Sequence, residues 1–224
     1  PITSYATGAA GLIGRGCDGS EFVLTITNCV NYGNVTTNVA TTSNYDCGGI
    51  IAQHCGVKAN SEPQLIIDNC VNNGTINADG RPGGIAGNVD SSAKITNCTN
   101  NGSVNSFNQY AGGMVGRVYY ALDAKFTGCI NNGYVTGYSN IGGIIGHTTA
   151  SSLIMTACQN NGEIATTTDA KSSAYAGGLI GYAQGTNDSN HSADYGELAS
   201  RIQFCINTGN VSSMRRTGGI VGSS

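Results

Sequence analysis

The residues able to do chemistry in this chain are nine cysteines, three histidines and thirteen carboxylates, and their spacing decides what is open to them. Six of the cysteines, Cys29, Cys70, Cys98, Cys129, Cys158 and Cys205, stand 28 to 47 residues apart. No Cys-x-x-Cys and no Cys/His pair has zinc-finger spacing. A small, readily buried side chain recurring at long intervals is expected to line a core. Cys17 lies six residues after Gly11, and Cys55 lies six after Gly49. These two are equivalent positions on neighbouring repeats, within disulfide reach if their side chains face each other. Such a bridge would fit an oxidising compartment. Cys47 has no counterpart of this kind.

His54, His147 and His191 fall in different positions of the repeat, and no His-Glu-x-x-His occurs, so no shared metal site is expected. The residue four after the second glycine of each Gly-Gly pair is Arg15, Gln53, Asn88, Arg117, His147 or Tyr182. A column that variable and polar reads as a solvated face. Asp68, Asp90, Asp123 and Glu163 occupy different columns. No two of them are expected to flank a substrate as the paired carboxylates of glycosidases do. No catalytic residue and no cofactor is therefore assigned. A threonine column (Thr25, Thr27, Thr96, Thr127, Thr156) is interrupted by Asp68 and Gln203, which argues against an ice-binding surface.

The elements that position these residues come from a repeat. One block reads Gly-Gly-Ile/Leu/Met-Ile/Val/Ala-Gly and begins at Gly48, Gly83, Gly112, Gly142, Gly177 and Gly218, with a variant copy at Ala10. Between its copies lies Cys-x-Asn-x-Gly-x-Val/Ile. The asparagines are Asn31, Asn72, Asn100, Asn131, Asn160 and Asn207, each two residues after its cysteine. The glycines are Gly33, Gly74, Gly102, Gly133, Gly162 and Gly209. Three residues before each cysteine stands Ile26, Ile67, Ile95, Phe126, Met155 or Ile202. Copies of the Gly-Gly pair are 29 to 41 residues apart, so longer repeats carry surface insertions such as the one from Gln184 to Ser200.

Alternation of period two before each cysteine, as in Leu24-Thr25-Ile26, predicts a strand. The Gly-Gly block predicts a second short strand, and the Val or Ile after Asn-x-Gly begins a third. Three strands and three corners account for the shortest repeat. One repeat cannot bury its own apolar face, so the fold class is all-β: a single parallel β-solenoid of about six coils over residues 1–224. Its coils begin near 10, 48, 83, 112, 142 and 177, with a partial coil from 218. The Ile/Phe/Met and Ile/Leu/Met columns are core ladders. The asparagines are expected to hydrogen-bond from coil to coil. The glycine two residues later is expected to hold positive φ at the same corner.

Composition limits the partners. Only 10% of residues are charged, and the net charge is -3, which gives phosphate no basic stripe to bind; no nucleic-acid partner is expected. No apolar run is long enough to insert as a membrane span. The chain starts at Pro1 and is read as a processed or excised segment. Candidate N-glycosylation acceptors are Asn34, Asn73, Asn97, Asn101, Asn187, Asn190 and Asn210, of which Asn187 and Asn190 lie in the long insertion.

These blocks resemble the GLUG-motif repeats, which are named for the short block that here reads Gly11-Leu12-Ile13-Gly14. The resemblance covers essentially the whole chain, with Ala10 and Ala52 departing from the glycine pattern. It implies a secreted or cell-surface solenoid scaffold, adhesin-like, with no catalytic residues to carry over. The expected function is a non-enzymatic structural or adhesive module. The alternative is a glycan-binding or glycan-cleaving β-helix, which a row of exposed aromatics drawn from Tyr119, Tyr120, Tyr134, Tyr138 and Tyr182 would favour. Both ends are expected to show strand edges and apolar side chains such as Ile220 and Val221. Flanking repeats of a longer chain, or copies of this chain joined head to tail, would cover them.

Overall fold

The computed structural model of the chain describes residues 8–16, 22–37, 45–56, 62–108, 110–167, 174–184 and 200–224, together with the backbone of 2–4. It is an all-β parallel solenoid of about six coils, built from five parallel sheets of six or seven strands. The coil that starts near Gly83 shows the plan. Arg81–Gly83 belongs to sheet I, Ala86–Asp90 to sheet II, Ala93–Thr96 to sheet III, Thr99–Asn100 to sheet IV and Val104–Ser106 to sheet V. The chain then re-enters sheet I at Ala111–Gly112. Each strand pairs in register with its equivalents one coil before and after. Ile95 lies between Ile67 and Phe126, Asn100 between Asn72 and Asn131, and Val104 between Ile76 and Val135.

A coil thus has five strands, not the three expected from the sequence. The Gly-Gly block is a corner rather than a strand. A sheet I strand ends at the first glycine, the chain bends at Gly84 and Ile85, and a sheet II strand starts at Ala86. The Cys-x-Asn segment supplies a two-residue strand of its own.

The interior is divided in two. One core holds the Ile50–Ile85–Met114–Ile144–Leu179 column, the Ile67–Ile95–Phe126–Met155 column and the buried ladder cysteines Cys70, Cys98, Cys129 and Cys158. A second core packs Val35, Ile76, Val104, Val135 and Ile164 against Cys47, Ala111, Ile141 and Ala176. Burying each large aliphatic side chain contributes roughly 1.5–3 kcal/mol. Between the cores, sheets I and II meet backbone to backbone along a seam of glycines. A β-carbon on Gly116 would lie 2.7 Å from the carbonyl carbon and oxygen of Arg81, and one on Gly112 would lie 2.0 Å from Val115 O. Ala52 keeps its methyl group at this seam because Gly8 stands opposite it, in the column where later coils carry Asp46 and Arg81. The Ile13↔Ile51 and Arg15↔Gln53 register is kept across that coil.

The asparagine ladder runs through all six coils. Asn31 Nδ2 donates to Asn72 Oδ1 at 2.7 Å, Asn72 to Asn100 at 2.8 Å, and Asn100 to Asn131 at 2.8 Å. Asn131 then donates to Asn160 and Asn160 to Asn207, each at 2.7 Å. Each Nδ2 also donates to the carbonyl of the glycine two residues on, as from Asn100 to Gly102 O at 2.8 Å. That glycine does not hold positive φ, contrary to expectation. It is required because a β-carbon on Gly102 would lie 1.9 Å from Gly74 O of the coil before. The left-handed residue sits instead just before each ladder cysteine: Asn28, Asn69, Asn97, Gly128, Ala157 and Phe204, with φ of 52 to 63°.

Candidate functional site: the seam between sheets I and II

Where sheets I and II part at the edge of the glycine seam, their outer columns face one another. Sheet I contributes Asp46, Arg81, Tyr110, Asn140, Tyr175 and Arg216, one per coil. Sheet II contributes Gln53, Asn88, Arg117, His147 and Tyr182, the column read from sequence as a solvated face. That reading needs correction for the interior coils. Asn88 is fully buried and His147 only 6% exposed, because the glycine contacts bring sheet I close enough to cover them.

The side chains form one connected strip. Arg81 Nε donates to Asp46 Oδ1 at 2.7 Å, both nearly buried. Arg117 Nε donates to Asn88 Oδ1 at 2.9 Å, and Arg117 Nη2 lies 3.5 Å from Asp90 Oδ1. Asn88 Nδ2 donates to Asp90 Oδ2 at 3.0 Å, and the Arg117 guanidinium stands 4.1 Å from the Tyr119 ring centre. Towards later coils the strip becomes aromatic. Tyr110 lies 4.7 Å from His147 between ring centres, His147 is stacked on Tyr182 at 5.4 Å, and Tyr182 lies 5.4 Å from Tyr175. The Arg216 guanidinium is 5.5 Å from the Tyr175 ring centre.

Burial governs the electrostatics. It pushes the Asp46 carboxyl up to about 6, outweighing the Arg81 partner that pulls it down. It pushes the His147 imidazole down to about 4, helped by the neighbouring Arg117 charge and opposed by the Gln184 side chain. His54, fully buried with Nδ1 2.8 Å from Ser91 Oγ, is likewise lowered to about 4 by burial. No pairing of carboxylates was expected from the sequence, yet the Asp90 charge adds to the rise of Asp46, against the two arginines that lower it. Sequence reasoning missed Asp46, whose signal is the register that sets it beside Arg81.

The six ladder cysteines do form a column. Cys70, Cys98, Cys129 and Cys158 are buried, and Cys29 and Cys205 at the end coils are half-buried. Each thiol donates to the carbonyl two residues earlier, spanning the left-handed residue, as from Cys98 Sγ to Thr96 O at 3.1 Å. Hydrogen bonds between neighbouring thiols, then burial, lift Cys98 and Cys129 well above the usual thiol range. Their partners Cys70 and Cys158 move down. Burial of the four interior thiols in an apolar core raises each of them and favours the neutral form. The expected Cys17–Cys55 bridge falls partly outside the described residues, since Cys17 is not among them. Cys55 closes the strand Ile51–Cys55, its sulfur 3.9 Å from Arg15 Nη2.

Asn187 and Asn190 also lie outside the described residues. Asn34, Asn73, Asn97, Asn101 and Asn210 are exposed. Two of them belong to a second, exposed ladder that the sequence reading missed. Asn101 Nδ2 donates to Asn73 Oδ1 at 2.8 Å, Asn132 to Asn101 at 2.9 Å, and Asn161 to Asn132 at 2.8 Å. Its signal was the repeated Asn-Asn-Gly. Of the tyrosines singled out, Tyr119 and Tyr182 line the strip, Tyr120 packs on Tyr119, and Tyr134 is exposed on the corner before sheet V. Among the described residues no group of three or more His, Cys, Asp or Glu side chains is placed to hold a metal ion. Compared with protein-family models, with curated proteins and with solved structures, the chain matches none.

Proposed function

We propose that this chain is a non-enzymatic structural and adhesive rod module of an extracellular or cell-surface protein, as its resemblance to GLUG-motif repeats implies. The observation that carries this reading is the buried asparagine ladder from Asn31 to Asn207. The columns that recur in every coil join coil to coil. In the seam, Asp46 and Asp90 are both tied to arginines, which favours a scaffold over glycan cleavage. A strand pair at the edge of a sheet templates further pairing. The last coil presents such edges with Ile202, Ile206 and Ile220 exposed and Val221 half-buried beside them. In this reading such edges pair with strands of flanking repeats or of a second copy joined head to tail, a heterologous contact that builds open filaments.

Electron microscopy of the native material, combined with sedimentation of the isolated chain over a range of concentrations, tests the reading. Rods or fibres with a constant rise per coil are expected. Compact monodisperse particles at every concentration, or release of reducing ends from a polysaccharide panel by the purified chain, would overturn it.

A further inference from the structure

We propose that the seam between sheets I and II is a binding site for a polymeric carbohydrate lying along the solenoid axis, a proposal that rests on the adhesive reading above. Three observations converge on it.

The first is the loss of repetition. Columns set by stacking keep their residue from coil to coil, as Asn73, Asn101, Asn132 and Asn161 do on the exposed surface. The sheet I seam column changes at every coil, through Asp46, Arg81, Tyr110, Asn140, Tyr175 and Arg216. Its partner column in sheet II changes as well. Both facing columns vary from coil to coil, so the stacking of coils does not set their residues.

The second is the chemistry of those residues. Tyrosine, arginine, asparagine and histidine combine flat apolar surface with hydrogen-bonding tips, the combination that fits sugar rings edged with hydroxyls. Tyr110, Tyr175 and Tyr182 are only partly buried, and Arg216 is exposed beside them.

The third is unmet hydrogen bonding. Asn140 Oδ1 and His147 Nδ1 are buried polar atoms with no hydrogen-bond partner among the described residues. Buried polar atoms are normally paired, by protein or by a bound molecule. Asn140 stands between Tyr110 and Tyr175 in sheet I, and His147 lies between the Tyr110 and Tyr182 rings. Hydroxyl groups at this place, which both donate and accept, would satisfy both. The coil rise of about 4.8 Å is close to the length of one hexose unit. An extended glycan along the axis therefore offers one residue to each coil, which selects a polymer over a monosaccharide.

The test is a glycan array, followed by titration with cellohexaose and cellobiose as extended neutral probes of two lengths. Tyrosine fluorescence is the readout, since the chain has no tryptophan. Saturable binding of at least one array glycan is expected, with the long probe of each bound type held roughly tenfold tighter than its disaccharide. Tyr182→Ala and Arg216→Gln should each weaken binding by about tenfold, and Tyr134→Ala should leave it unchanged. Arg216 is exposed, so its variant keeps the test decisive if Tyr182→Ala fails to fold. Absence of binding across the array, or binding indifferent to both seam variants, would overturn the proposal. Neither result bears on the images of rods, so this site and the rod reading fail separately.

Discussion

Gly84 and Asn100 close the same coil on one another: a β-carbon on Gly84 would lie 2.3 Å from Asn100 Cγ and 2.2 Å from Gly113 O. The same contact recurs in each coil, between Gly49 and Asn72, Gly113 and Asn131, and Gly143 and Asn160. The two sequence blocks alternate along the chain because they are the two halves of one closure. Gly84→Ala should therefore prevent native stacking of the central coils, seen as loss of the cooperative thermal transition. Gly14→Ala, where nothing lies within 4 Å of the added carbon, should melt like the parent. Equal melting of the two variants would contradict the closure.

Asn100 accepts from Asn72 and donates to Asn131 and Gly102. Asn100→Ala strands a buried donor on one side and an acceptor on the other, at about 1–3 kcal/mol for each unsatisfied group. A fall of about 3–5 kcal/mol in urea unfolding is expected from that pair of losses. Asn31→Ala, at the end of the ladder, should cost clearly less. A flat profile along the ladder would count against side-chain bonding as the source of its strength.

Ala157 is left-handed, with φ 53°. That conformation costs an L-residue about 1–2 kcal/mol, which glycine avoids while giving back part in unfolded-chain entropy. Ala157→Gly should stabilise the fold by about 0.5–1 kcal/mol, and Ala157→Val should destabilise it. Chemical denaturation of the pair settles the sign.

Stability should depend on pH in a defined window. The folded chain keeps His54 and His147 neutral down to about pH 4, whereas the unfolded chain protonates them from about pH 6.5. Each histidine thus contributes stability that is present above pH 6.5 and lost as the pH falls to about 4, about 3 kcal/mol apiece. Asp46 works in the opposite sense. Its carboxyl, raised to about 6, takes its proton earlier in the folded state than in the unfolded one, adding stability as the pH falls below 6. The net fall between pH 6.5 and 4 should be about 3 kcal/mol. In a His54→Gln, His147→Gln double variant the fall should turn into a rise. Urea midpoints at pH 7, 5.5 and 4.5 measure both, and a pH-independent parent would refute the assignment.

Much of the fold was legible because stacking turns sequence columns into spatial ladders. The Ile95, Cys98, Asn100 and Val104 positions could be placed without coordinates, since each recurs at a fixed offset in every coil. The corner at Gly84 and Ile85 was not legible: a Gly-Gly-Ile-Ile run reads equally as an apolar strand, and only the backbone contact across the seam forces the bend. The left-handed position before each cysteine is occupied by Asn, Gly, Ala and even Phe, so residue type gave little sign of it. The seam column containing Arg117 and His147 looked solvated because the approach of sheet I depends on missing side chains, those of Gly112 and Gly116, rather than on any residue present.

The two asparagine ladders run in opposite senses. In the buried one each amide donates forward along the chain, from Asn31 towards Asn207, and in the exposed one each donates backward, from Asn161 towards Asn73. An amide carries a dipole, and a one-way row of them would build a dipole moment that grows with every coil added, as peptide dipoles do along a helix. Two rows of opposite polarity offset one another. Adding a coil to both rows then changes the net dipole along the axis little.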